Sequence, residues 1–175
     1  MINDPRYKIE TLQFDVDMAE AVATCMDYEM CAAACRECPN YGRLWTCPPF
    51  VDDRPALHPE RFGRLRLYVT RITFVRRSDP NVFYAVKNEI ISTLKADNAG
   101  LGGVIYGFAG RCDLCAECAR LSSLPCRHPE SATPSLEGVG FDVGKVLKRF
   151  CNLELEWTTA TAPSRTLTYV AAIAH

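Results

Sequence analysis

Cysteine spacing sets the terms for this chain. Residues 112–118 read Cys112-Asp-Leu-Cys115-Ala-Glu-Cys118, and a fourth cysteine follows in Cys126-Arg127-His128-Pro129. Two consecutive two-residue spacers plus a more distant cysteine form the three-plus-one ligand pattern of cuboidal iron–sulfur clusters. The reason is reach. A C-x2-C-x2-C loop wraps a compact cluster and aims three thiolates at three irons, while the fourth iron is held from elsewhere. Zinc sites more commonly present separated C-x2-C pairs, because one tetrahedral ion is gripped by two knuckles. Three cysteines at short regular spacing beside Gly110 and Pro125 do not follow core periodicity. The expected cofactor at Cys112, Cys115, Cys118 and Cys126 is a [4Fe-4S] cluster, with zinc as the alternative.

A second motif reads Cys35-Arg-Glu-Cys38-Pro-Asn-Tyr-Gly-Arg-Leu-Trp-Thr-Cys47-Pro48-Pro49. It supplies three thiols. A fourth ligand has to come from Cys31, Cys25, Cys151, His58 or the other motif. Cys31 is the first choice, four residues before Cys35 and on its face if that stretch is helical. Cys47-Pro48 is similar to the last cysteine of bacterial ferredoxin runs, which ligates the other cluster in two-cluster proteins. Iron–sulfur, zinc and a cluster shared between the motifs all stay open here, so the chain is expected to carry one or two clusters. Arg36, Arg43, Arg111, Arg120 and Arg127 lie in or beside the motifs. Guanidinium groups would stabilise the net negative charge of a thiolate-bound cluster, or they are solvated surface charge. Tyr41, Trp45 and Phe50 either shield a cluster or serve as ordinary core aromatics. His128 is a ligand or a supporting donor, but four cysteines already suffice.

Composition decides which chemistry the cysteines serve. With 175 residues, 48% of them hydrophobic and 23% charged, the chain fits a single domain over 1–175 that buries a core without covalent staples. Ten cysteines are therefore in excess of structural need. The first residues, Met1-Ile-Asn-Asp-Pro-Arg, show no basic stretch leading into an apolar one, and no run approaches the ~18–20 apolar residues of a membrane span. The expected location is the cytoplasm, where reducing conditions favour metal-binding or redox cysteines over disulfides. A net charge of −1 argues against a nucleic-acid binder driven by phosphate contacts. The expected partner is a redox protein, with neither nucleic acid nor membrane.

Between the motifs, strand and helix signals alternate. They predict an α/β class with a mixed sheet and flanking helices. Lys8–Phe14 is a short strand. Asp17 and Glu20 form a capping box for an Ala-rich helix from Met18 to about Ala34. Leu65–Val75 is a strand. Asp79-Pro80 starts a helix whose Val82, Val86, Ile90 and Leu94 share one face until Gly100. Val104–Ala109 is a strand, Pro134–Glu137 a helical turn, and Asp142 caps a helix through Phe150. Leu153, Leu155 and Trp157 alternate with Glu154 and Glu156, as Leu167, Tyr169, Ala171 and Ile173 do in their turn, predicting a C-terminal antiparallel hairpin across Ala160–Ser164. Both cysteine motifs fall in gaps of this pattern, so two metal-binding loop insertions are expected, Cys31–Arg64 and Gly110–Thr133. Other chemistry finds little support. Asn98-Ala-Gly100-Leu-Gly102-Gly103 follows a helix and precedes a strand, the reverse of a dinucleotide fingerprint. No P-loop or nucleophile elbow occurs, and Glu130, Glu137 and Asp142 do not make an acid/base pair.

The residues between the cysteines carry a resemblance. Cys35-x2-Cys38-Pro-Asn-Tyr-Gly-x2-Trp45-x-Cys47-Pro-Pro resembles one signature of the DUF2284 family of small prokaryotic predicted metal-binding proteins. So does Gly110-x-Cys112-x-Leu114-Cys115-x2-Cys118 with Cys126-Arg-His-Pro-Glu130 and Pro134-Ser135-x-Glu137-x-x-Gly140-x-Asp142-Val143. The resemblance implies metal binding and carries over to Cys35, Cys38, Cys47, Cys112, Cys115, Cys118 and Cys126. It fits one complete site and one three-cysteine site with an extra or open position. The expected function is an intracellular metal-binding protein that transfers electrons or reductively activates a partner. The alternatives are a zinc-stabilised binding module without redox activity and a cluster-dependent enzyme with an open iron site.

Overall fold

A computed structural model describes residues 6–75, 80–156 and 165–175. Its centre is a four-stranded sheet in the order β1-β2-β4-β3, formed by β1 (Tyr7–Asp17), β2 (Arg64–Phe74), β3 (Val104–Tyr106) and β4 (Thr166–Ala174). All three ladders are antiparallel. β2 and β3 each oppose β4, so they run in the same direction but do not touch. The α3 helix (Pro80–Leu101) makes the crossover between them, and the last strand of the chain inserts into the gap. The β2-α3-β3 unit is thereby split by β4. Among the described residues, parallel pairing survives only in the isolated bridge Gly107–Ser135.

Alternation along β2 and β4 divides the core into two layers. Tyr68, Ile72, Tyr169, Ala171 and Ile173 face α3, whose Val82, Val86, Ile90 and Leu94 are all buried against them. Burying each such aliphatic side chain contributes roughly 1.5–3 kcal/mol. Leu65, Leu67, Val69, Ala172 and Ala174 face the opposite layer, built from α1 (Met18–Cys25), Tyr106, Phe141 and α4 (Val143–Val146) with its π-helical continuation Leu147–Cys151. The first cysteine motif adjoins this second layer, on which Phe50 packs, whereas the second cysteine loop also meets α3 through Lys87.

The helix expected from Met18 to Ala34 is two helices. α1 ends at Cys25 and α2 spans Tyr28–Arg36. Met26 is extended and bridges Phe141, the Asp27 N–H donates to the Gly140 carbonyl at 2.9 Å, and the Asp27 carboxylate caps Met30 N at 3.1 Å. This break turns α2 toward the first cysteine motif. Gly140 permits it: its φ is +103°, and a Cβ there would stand 3.2 Å from the Tyr28 ring. Asp17 caps α1 through Glu20 N at 3.0 Å, but the Glu20 carboxylate accepts from Arg149 at 2.7 Å instead of completing the box. Asp142 caps α4 through Lys145 N at 3.0 Å.

At the C-terminus, Leu167–Ile173 lies in β4 as expected, but β4 pairs with β2 and β3. Residues 153–156 form no strand, although Leu153 and Leu155 still pack on the core. Trp157, the proposed turn and the Asp79 cap lie outside the described residues. No helix among the described residues is long and apolar enough to cross a membrane.

Candidate metal centre

The second cysteine loop leaves the sheet at β3 and is pinched shut at its base. Gly107 N donates to the Pro134 carbonyl at 2.8 Å, and a Cβ at Gly107 would stand 2.6 Å from Thr133 Oγ1. Inside the loop, Cys112, Cys115, Cys118 and Cys126 line one pocket, walled by Leu114, Ala119 and Ala132 and by Trp45 from the first loop. A 3-10 turn over Ala119–Ser122 begins directly after Cys118 and ends where Ser123 takes φ +56°. Arg111 and Arg127 donate to the loop carbonyls of Ala116 and Glu117, both at 3.0 Å, so these two guanidinium groups brace the loop. The His128 ring does not line the pocket. Its backbone N–H donates to Cys126 Sγ at 3.4 Å.

The first motif follows α2 as a chain of tight turns. Cys38 N bonds the Cys35 carbonyl and Cys47 N bonds that of Leu44, and Gly42 N closes the loop on the Pro48 carbonyl at 2.8 Å. Cys31 lies one turn before Cys35 on α2, as expected from helical spacing, and is buried. His58 belongs elsewhere: its Nε2 meets Asp53 and its Nδ1 meets Glu60 at 3.3 Å. Cys25 and Cys151 are buried in the sheet-side core. All ten cysteines are free thiols.

The two loops form one unit, which sequence spacing did not foretell. Arg120 of the second loop donates to the carbonyls of Leu44 and Cys47, each at 2.8 Å, and of Pro49 at 2.5 Å. Its guanidinium carbon lies 5.1 Å from the centre of the Trp45 ring, and Trp45 Nε1 donates to the Leu124 carbonyl at 3.0 Å. Arg54, held by Asp52, donates to Ala132 at 3.2 Å and to Trp45 at 3.4 Å, binding the loops from the other side. Of the aromatics, Trp45 walls the second-loop pocket and Phe50 packs on the core. Arg36 and Arg43 are exposed.

Residues 21–173 match the family described as predicted metal-binding protein (DUF2284). The chain belongs to this family. The DUF2284 match takes in both loops, the break between α1 and α2, and all ten cysteines, including Cys25, Cys31 and Cys151. No curated protein and no solved structure matches the chain.

The thiols of this DUF2284 protein feel one another in two groups. Burial pushes Cys112 up, with the fields of Cys118, Cys126 and Cys115 adding to it and a backbone bond from Leu114 opposing. Burial pushes Cys47 up to about 11, with Cys38 and Cys35 adding and the Thr46 hydroxyl opposing. Cys31 is likewise held at about 11 by burial, then by Asp142, Cys35 and Glu137, and Cys35 is raised by burial and Cys38. Cys151 reaches about 11 through burial alone, with no thiol neighbour contributing. Among the described residues, no three His, Cys, Asp or Glu side chains converge closely enough to hold a single ion. The four second-loop cysteines line one pocket. The donor set, four soft sulfurs in one lining, suits a thiolate-ligated metal group.

Proposed function

We propose that this metal-binding protein carries a [4Fe-4S] cluster at Cys112, Cys115, Cys118 and Cys126 and works inside the cell in electron transfer or in reductive activation of a protein partner. The observation that carries the reading is the shared pocket of those four thiols, walled by Trp45, Leu114, Ala119 and Ala132. A cuboidal cluster needs ligands spread around a volume, whereas a zinc ion needs them aimed at one point. Cys35, Cys38 and Cys47, with Cys31 as the fourth ligand, form a second metal site in the same reading.

When bound, the cluster supplies a one-electron redox centre. The chain's own residues set the terms. Trp45 and the two alanines cover part of the half-exposed second-loop thiols, and solvent exposure is one of the factors that set a cluster's potential. The Cys126 thiolate accepts the His128 N–H, and such bonds to sulfur raise the potential. Arg111 and Arg127 place positive charge beside the loop while holding its carbonyls.

Reduction of the anaerobically purified protein tests the electron-transfer role. The reading expects a reversible one-electron couple with a paramagnetic signal on reduction, lost in Cys115→Ser. Protein that shows no couple while retaining stoichiometric zinc would leave a loop-stabilising binding module as the function.

A further inference from the structure

A cavity of about 190 Å³ lies between α3 and the second cysteine loop. Ile91 of α3, Ile105 of β3 and Phe108 give it apolar walls. Phe108 is held by an edge-on contact with the Tyr169 ring, centroids 5.1 Å apart at 77°, so this wall is fixed in orientation. The charged lining is one-sided. Lys87, Lys95 and Arg111 face a single carboxylate, Asp113. Lys87 Nζ is already satisfied by Asp113 at 2.5 Å and by the Arg111 carbonyl at 2.9 Å. Asp113 also lies 4.0 Å from Arg111 Nε, so Lys87, Lys95 and Arg111 share one carboxylate and the lining keeps a net positive charge, with Lys95 the cation that Asp113 does not meet.

We propose that this cavity binds a small organic anion: a compact apolar body carrying one carboxylate. Burial of the body against Ile91, Ile105 and Phe108 supplies the hydrophobic part of the affinity. Lys95 and Arg111 supply charge-assisted hydrogen bonds to the carboxylate. The volume is below the roughly 300–1,000 Å³ of pockets for drug-sized ligands, which limits the occupant to about the size of benzoate. Cys112 lines both this cavity and the pocket of the four thiols, so the anion sits against the wall of the metal centre. The cavity is built from α3, β3 and the loop, and the proposal holds whichever metal the thiols take.

Equilibrium dialysis of the full chain as purified, with 4-fluorobenzoate as probe and free probe measured by fluorine NMR, tests it. The proposal expects saturable binding. It expects uncharged 4-fluorobenzyl alcohol to bind at least tenfold more weakly. Lys95→Glu, an exposed change that spares the fold, should weaken 4-fluorobenzoate at least tenfold, and Ile91→Trp, which fills the cavity, should abolish binding at unchanged circular dichroism. Absence of saturable binding, equal binding of the alcohol, or full affinity in Lys95→Glu would overturn the proposal.

Discussion

The Arg120 guanidinium of one cysteine loop donates to the main-chain carbonyl of Cys47 in the other, at 2.8 Å. With its bonds to Leu44 and Pro49, a single side chain serves three carbonyls of the first loop while lying over Trp45. Hydrogen bonds involving a charged group contribute about 1.5–3 kcal/mol each, and the carbonyls left behind lose their partners. Arg120→Ala should therefore lower stability by at least about 2 kcal/mol and speed release of metal to a chelator from both loops. Arg120→Lys should recover only part, because an ammonium cannot reproduce the planar fork. Chemical denaturation and chelator kinetics read both. The exposed Arg36→Ala is the control and should match wild type.

Metal content separates ligands from packed thiols. Cys115→Ser should lose the metal of the second loop. Cys31→Ser should lose only that of the first, since Cys31 neighbours Cys35 and does not line the second-loop pocket. Cys151→Ser should retain both, because Cys151 is a core thiol. Metal loss in Cys151→Ser equal to that in Cys115→Ser would contradict the assignment.

Tyr106 offers a test of the fold alone. Its side chain is fully buried, its hydroxyl finds no partner among the described residues, and burial raises its pKa strongly. An unsatisfied buried hydroxyl costs about 1–3 kcal/mol. Tyr106→Phe should raise stability by about 1 kcal/mol in thermal or denaturant unfolding, whereas most buried substitutions lower it.

Proton release on metal binding follows from the raised thiols. Ordinary cysteines, at 9.0, are half ionised at pH 9, but Cys31 and Cys47 at about 11 remain protonated there. Each must lose a whole proton to become a ligand. Titrating metal-free protein with zinc at pH 9, in buffers of different ionisation enthalpy, should show nearly one proton released from each of these two thiols. Release near half a proton from each would contradict the burial argument. The same sign governs the metal-free fold. A pKa above the unfolded value favours the folded state below pH 9, and that contribution is lost as pH rises through about 11.

Features set by local chemistry were legible in the sequence. The α3 face of Val82, Val86, Ile90 and Leu94, the caps at Asp17 and Asp142, and the grouping of the second-loop cysteines all depend on residues within a few turns of one another. What depended on distant partners was not. The break at Met26 needs Phe141, the place of β4 between β2 and β3 needs the whole sheet, and Arg120 reaches carbonyls more than 70 residues away. Arg120 was expected as a charge beside a cluster, and its position follows from carbonyl geometry instead. Leu153–Glu156 alternates like a strand, yet β4 already has β2 and β3 on its two edges.

In the proposed function the excess cysteines hold iron and sulfide. Iron, acid-labile sulfide and zinc per chain, measured on protein purified without air, test it most directly. About four irons and four sulfides are expected for the second-loop cluster, up to twice that if the first loop holds one as well, with the Cys115→Ser protein losing the second-loop share. A colourless protein with stoichiometric zinc and no sulfide would contradict it.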